Sequence, residues 1–496
     1  MLYGYPKPDP EKQVVFYQRG IGTYNPHLPN SNVKIPVIDS VSAVVDQAIA
    51  WSLRHHILDG YKWLMKNYRE GDRICMFAIS SLGAMLGTVG LLPLENKHAK
   101  KQAFETYKKL TPQTLSLSGD FIRRWNCRTV IIEFMGLWDT VNSVGLVTAK
   151  KLPYTAFNRI VKTFRHAVAL DERRARFKTN MWSQPRERPS AKRPDTQTSN
   201  SGNSKGSVEV VDEKKTVDGG LGANNNSQKL DEKGGGPAAP QSPPVNSNDP
   251  QPNIPFQPDV DQVWFTGSHC DVGGGSVLNG TRPNLAHIPL RWMVRECFKA
   301  NTGIIFYTEK IAAIGLDPRG IFPEVKPRSP AIQPTAGQTV KHGPSPPEPK
   351  KKGLFSCISD PSSESKSPDI VDFSGHSEEE LDLIDSLAAV YDQLIVKRRQ
   401  WWLLETYPLK VWSAADNKYV RKKNVGKGRN IMTPLPATAT FRGEPVNPRW
   451  CKVRIHRSVK TRMECPGDDG SFYVPKALLG GKTLDKVNQD LIEWVD

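Results

Sequence analysis

The chain carries only seven cysteines, at positions 75, 127, 270, 297, 357, 451 and 465, an odd number with no Cys-x-x-Cys pair. That spacing supplies neither a zinc ligand set nor a disulfide framework, and it fits a reducing, cytoplasmic setting. The N-terminus, Met1-Leu2-Tyr3-Gly4-Tyr5-Pro6-Lys7, lacks the apolar core of a secretory signal. Internal repeats are absent, and no recognition motif accompanies the positive charge, so nucleic acid is not an expected partner. Long hydrophobic runs are scarce. Ile74 to Leu94 is uncharged over 21 residues, long enough to cross a bilayer. A buried strand, a tight turn and a small-residue helix explain that run as well, and Asp72-Arg73 before it favours this second reading over a membrane span.

What is present divides unevenly. Residues 184–258 are rich in Ser, Asn, Gly and Pro, and residues 325–372 repeat the pattern. Neither can bury enough apolar surface to offset chain entropy, so both read as disordered insertions. Two segments of one domain are expected at 1–183 and 259–324, with a C-terminal module at 373–496 packing on them. Net charge is +17, but the excess is local. Residues 397–430 hold ten Lys or Arg against Glu405 and Asp416, a balance of 10 − 2 = +8. A solvated basic tail is one reading, and peripheral contact with an anionic membrane surface is the other.

Helical spacing of Leu53, Ile57, Tyr61, Leu64 and Met65 predicts a long helix over 41–68. Gln13 to Tyr17, Ile74 to Ile79, Arg128 to Met135 and the run ending at Gly267 read as strands. Further helices are expected near 98–110, 116–126, 155–170 and 285–300. Ser377 is a plausible N-cap, with Glu378, Glu379 and Glu380 in the first turn of a helix running to Thr406. Strands alternating with helices imply an α/β fold, a mostly parallel sheet with helices on both faces.

Two strand ends carry the chemistry. Val263 to Thr266 stops at Gly267-Ser268-His269-Cys270-Asp271-Val272-Gly273-Gly274-Gly275, and Arg128 to Met135 runs into Gly136-Leu137-Trp138-Asp139-Thr140. Ligands of α/β sheets bind beyond the carboxyl ends of strands. Asp139 and His269 there point to acid–histidine chemistry, although either could merely end a strand or cap a helix. Asp271 either buttresses His269 or holds the glycine turn through backbone amides. A His–Asp–Asp metal site is open on residue type, but His-x-Asp alone is unspecific. Gly273 reads as turn geometry, and His166 as structural, with substrate contact the alternative.

A nucleophile should lie upstream on a strand-to-helix turn flanked by small residues. Phe77-Ala78-Ile79-Ser80-Ser81-Leu82-Gly83-Ala84 offers two serines, and neither has small residues at both minus two and plus two. With Gly71-Asp72-Arg73-Ile74, the Gly136 and His269 motifs, Arg165-His166-Ala167-Val168-Ala169-Leu170-Asp171-Glu172-Arg173-Arg174, Ile288-Pro289-Leu290-Arg291-Trp292-Met293 and Ile455-His456-Arg457-Ser458-Val459, the chain resembles a family. It is the uncharacterised α/β-hydrolase domain common in fungi, shared by bacterial type VI secretion phospholipase effectors of the first class. The resemblance implies an α/β-hydrolase fold, an ester or lipid substrate and no metal or organic cofactor. It implies a triad of Ser80, Asp139 and His269. The family's turn reads Gly-Phe-Ser-Arg-Gly-Ala-Tyr-Thr-Ala-Arg, and its opening strand ends in Asp-Gly-Thr, which this sequence does not contain. Here the chain passes from Ser80 straight to Ser81-Leu82, about seven residues short of the nucleophile turn. Such a gap fits either a splice junction wrongly assigned when the protein sequence was read from the gene, or a true pseudoenzyme that binds without turnover.

Overall fold

Six strands of the computed structural model lie side by side, every pair parallel. The structure describes residues 9, 11–18, 39–111, 114, 116–141, 158–182, 254, 256–278, 280–343, 375–396, 401–402, 405–413, 418–441 and 444–496. The elements begin with α1 (Asp39–Asn67), β1 (Ile74–Phe77), α2 (Ser80–Val89), α3 (Lys100–Lys108), α4 (Ser116–Trp125), β2 (Ile132–Trp138) and β3 (Val161–Ala169). Then come β4 (Asp259–Phe265), α5 (His269–Gly273), α6 (His287–Lys299), α7 (Thr308–Ala313), α8 (Pro318–Ile321), α9 (Glu378–Ser386) and α10 (Gln393–Val396). The C-terminal part holds β5 (Leu409–Ser413), β6 (Lys418–Lys422), β7 (Asn430–Ile431), β8 (Thr440–Phe441) and β9 (Glu444–Pro445). It ends with β10 (Val453–His456), α11 (Arg457–Glu464), β11 (Leu478–Leu479), β12 (Lys482–Thr483) and β13 (Ile492–Val495).

The sheet order is β1-β2-β3-β4-β10-β13, so the α/β expectation holds. Side chains alternate between its faces. Met76, Met135, Leu137 and Phe164 pack against Tyr61, Leu82, Met85, Phe104 and Phe121 of α1 to α4. Phe134, Ala167, Val263 and Phe265 pack against Ile288, Trp292 and Met293 of α6. Val168, Trp264, Ile455 and Ile492 meet Ile431 and Leu479, which seats the small β7–β11–β12 sheet on the large one. The uncharged run from Ile74 is β1 plus α2, and among the described residues no helix is long and apolar enough to cross a membrane.

Several expectations need correcting. Residues 161–169 form a strand, not a helix, paired with β2 and β4 along its length. Its polar residues looked like the wet face of a helix, but Arg165 is buried against Asp259 and Glu296. The helix from Ser377 has the expected capping box but stops at Ser386, where Arg462 donates to the carbonyls of Ser386 and Ala388. Gln13 makes one bridge, to Asp9, rather than a strand, and its side chain bonds the Ile305 backbone. Residues 325–343, grouped by composition with a linker, are held. Arg328 lies buried among Glu378, Glu379 and Asp382, and Val340 bridges to Gly467. Ion pairing and backbone bonds, not apolar content, fix this segment, so composition could not reveal it. Residues 183–253 and 344–374, most of both linkers, lie outside the described residues, as do 397–400 of the basic segment.

Candidate active site

The carboxyl edge of the sheet brings Asp139 and His269 together. Asp139 follows β2 in the left-handed region at φ 44°, a conformation Asp tolerates better than most residues. Its amide donates to Ala167 O at 2.7 Å, which turns the side chain inward to full burial. Oδ2 lies 2.7 Å from His269 Nδ1, and Oδ1 accepts from Ala169 N at 2.9 Å. Arg429 completes the set as a fork, Nη1 to Oδ1 at 2.5 Å and Nη2 to Oδ2 at 2.9 Å. Burial alone would raise the Asp139 pKa, but the Arg429 guanidinium and the His269 hydrogen bond outweigh it and hold the carboxyl well below the usual range.

An ionised carboxylate only accepts, so His269 Nδ1 donates to Asp139, and Nε2 is the ring nitrogen left for other contacts. Nε2 has no hydrogen-bond partner among the described residues, and the side chain is 30% exposed. The ring is set from three sides. Its backbone N–H donates to Glu172 Oε2 at 3.2 Å, Phe177 packs edge-on at 5.0 Å, and α5 begins at this residue. Glu172 is buried and paired with Arg174, whose pull outweighs burial and lowers the Glu172 pKa. The Arg174 guanidinium stacks on the Phe177 ring, 3.4 Å from its centroid, with Trp401 on its other partner contact at 4.6 Å.

Asp271 serves the turn. Its Oδ2 accepts from Ser268 N at 2.8 Å and Tyr391 N at 3.1 Å, and no hydrogen bond joins it to His269 among the described residues. Burial raises its carboxyl pKa despite those donors. Gly267, at φ 113°, lets this turn close, because a Cβ there would stand 2.5 Å from Asp271 Cβ. Gly273 has open space where a Cβ would go, so it is not itself required for close approach. His166 sits behind the acid, fully buried, and its Nε2 accepts from Thr140 N at 3.0 Å. Burial lowers its pKa to about 4, so it is neutral at physiological pH.

The β1–α2 turn that carries Ser80 and Ser81 is different. β1 stops at Phe77, and the residue in the left-handed region is Ala78, at φ 58°. Ile79 precedes the helix, Ser80 is the first residue of α2, and Ser81 follows half-buried. Among the described residues no hydrogen bond joins Ser80 or Ser81 to His269, and Ser80 is 8% exposed. Two of the three expected partners are therefore in contact and the third is not. No group of three or more metal-ligating side chains occurs among the described residues. Sequence reasoning missed Arg429, whose position in a basic run carried no sign that it points inward.

A parallel α/β sheet with a buried Asp–His pair at its carboxyl edge defines a protein built like a hydrolase core. The chain belongs to the family described as T6SS, Phospholipase effector Tle1-like, catalytic domain, which it matches over residues 3–296. It is also 28% identical over 360 residues to an uncharacterized protein of Saccharomyces cerevisiae, YEL023C, covering 59% of this chain. The match takes in 52% of that relative, so the chain spans about half its length. No solved structure matches.

Proposed function

We propose that this protein acts on acyl esters, lipid esters among them, through a serine triad in which His269 is the base and Asp139 its orienting acid. The observation that carries the reading is the 2.7 Å contact from His269 Nδ1 to a buried, ionised Asp139, which leaves Nε2 free to take a proton. Ser80 Oγ attacks the ester carbonyl, its proton passes to Nε2, and Asp139 stabilises the imidazolium. The same proton then goes to the leaving alkoxide, and water repeats the cycle on the acyl-enzyme. The positive balance of residues 397–430 supports contact with anionic head groups, less Arg429, which is spent on Asp139.

A second reading is a binding or scaffold protein that keeps the cleft without turnover. It is favoured by one observation, that Ala78 rather than Ser80 holds the strained turn position. A serine-reactive fluorophosphonate separates the two when applied to the chain as it stands and to one with Arg-Gly-Ala-Tyr-Thr-Ala-Arg inserted after Ser80. Labelling of Ser80 or Ser81 in the unaltered chain supports the enzyme. Labelling only after insertion makes this chain a scaffold derived from a hydrolase. Silence from both folded proteins sinks the hydrolase reading.

A further inference from the structure

We propose that Arg429, delivered by the C-terminal part of the chain, is the positioning residue that aims Asp139 at His269. The inference rests on the Asp139–His269 pair described above and adds a residue to it. Without Arg429, one hydrogen bond, from Ala169 N to Oδ1, fixes the carboxylate besides the histidine itself. A single bond leaves the carboxylate plane free to rotate. The guanidinium fork engages both oxygens at once, which fixes that plane and so the direction of Oδ2.

Arg429 is itself immobilised, as a positioning residue must be. Its side chain is 2% exposed. Beyond Asp139, Nη1 donates to Ala169 O at 3.0 Å, Nη2 to Phe177 O at 2.6 Å and Nε to Phe177 O at 3.0 Å. All five donor directions of the guanidinium are thereby used. The backbone is pinned as well: Leu478 N donates to Arg429 O at 2.7 Å where β11 pairs with β7. Gly428 makes that approach feasible, since a Cβ there would collide with Lys476 O. Lys476 N in turn donates to Asp171 Oδ1 at 3.1 Å, tying the segment that leads into β11 to the loop after β3. Phe177, whose carbonyl takes two of the five bonds, also packs its ring on His269, so one arginine braces both members of the pair. A surface cation serving only solubility would show none of this.

The test reads the His269 Nδ1 proton directly. A carboxylate-bound imidazole N–H resonates far downfield in the proton NMR spectrum, and its assignment comes from loss of the signal in His269→Ala. The unaltered chain is expected to show that signal. Arg429→Lys, which keeps the charge but loses the fork, is expected to move it upfield and broaden it while the remaining spectrum stays folded. Arg429→Gln is expected to abolish it, and where that variant does not fold, Arg429→Lys decides. An unchanged signal in Arg429→Lys overturns the positioning role and leaves the Asp139–His269 pair standing. Absence of the signal from the wild type overturns the pair, and the positioning role with it. In the chain carrying the completed turn, Arg429→Lys is further expected to slow fluorophosphonate labelling about 10²-fold, the cost of a small misplacement.

Discussion

Asp139→Asn is the most informative single change, because the carboxylate answers two groups at once. Its charge neutralises a fully buried guanidinium, and its Oδ2 holds the imidazole. The amide is nearly isosteric, so packing is preserved and the loss is electrostatic. Removing one partner of a buried ion pair costs about 3–5 kcal/mol, because the survivor stays buried and uncompensated. Arg429 retains its bonds to Ala169 O and Phe177 O, which places the expected cost at the lower end, about 3 kcal/mol. For a protein of this size that lowers the thermal midpoint by roughly 3–4 °C. Arg429→Met added to Asp139→Asn removes both charges, and the double variant is expected to recover at least half of the loss. Urea and thermal unfolding of the four proteins measure the coupling. An Asp139→Asn protein within about 0.5 kcal/mol of wild type would refute the buried pair.

The same group makes a pH prediction. The folded-state pKa of Asp139 is depressed, since the pull of Arg429 and His269 exceeds the effect of burial. An unfolded Asp takes up its proton near pH 4. Below that value the unfolded chain binds more protons than the folded one, so the contribution of Asp139 is full above about pH 5 and falls as pH drops further. Wild type should therefore lose stability faster than Asp139→Asn between about pH 5 and pH 3. Parallel curves would refute the depressed pKa.

His269→Ala is expected to abolish fluorophosphonate labelling in any form of the chain that labels, with under about 1 kcal/mol lost, since the side chain is partly exposed. Retained labelling would remove His269 from the mechanism. His166 is held neutral by burial, with a pKa of about 4. Between about pH 6.5 and 4 the unfolded chain protonates this residue and the folded one does not, so about 3 kcal/mol of stability disappears as pH falls through that window. His166→Gln keeps an acceptor for Thr140 N and should flatten that slope, and an unaltered slope would contradict the assignment. Arg291 joins α6 to Asp382 and Asp385 of α9 through bonds of 2.7–2.9 Å. Arg291→Met is expected to cost about 3–5 kcal/mol in urea unfolding, and a loss below about 1 kcal/mol would show that the network does not dock α9.

The legible parts of this sequence were those where local chemistry and global placement agree. Apolar runs broken by glycine, at Gly136 and Gly267, drew attention to Asp139 and His269, although β2 runs on through Gly136 to Trp138 rather than stopping at Met135. Ser377 with Glu380 announced a helix start that the structure keeps. The strand at 161–169 was misread because Lys162, Arg165 and His166 break its apolar run. Their partners, Glu133, Asp259, Glu296 and Thr140, come from other elements, so no window of sequence contains the reason that Arg165 and His166 can be buried or that the exposed Lys162 is paired in a strand. Arg429 failed for the same cause more acutely. It is one cation among ten in its segment, and only the closure of β7 on β11 turns it toward Asp139, 290 residues earlier in the chain. Buried charges are specified by their counter-ions, and a counter-ion distant in sequence leaves no local trace.

The same separation explains how the two halves of the site can differ in state. Asp139 is set by β2 and β3, His269 by β4 and α5, and Arg429 by β7 and β11; none of their hydrogen bonds reaches the β1–α2 turn. The length of that turn therefore does not bear on the Asp139–His269–Arg429 contacts. What it changes is local. β1 keeps its register with β2 through Phe77 and Gly136, and Ala78 N still donates to Gly136 O at 2.9 Å. The chain must then enter α2 within two residues, and a single left-handed residue makes the reversal at a cost of about 1–3 kcal/mol. That residue is Ala78, which has no nucleophile to present, while Ser80 is drawn into the first helical turn. Lengthening the turn after Ser80 removes the demand on Ala78 and lets the strand run two residues further, which carries the strained position onto a serine. The Asp139–His269 contact lies apart from that turn, so an insertion that brings about labelling should do so without altering the downfield His269 proton. A change in that proton on insertion would mean the two halves are coupled after all.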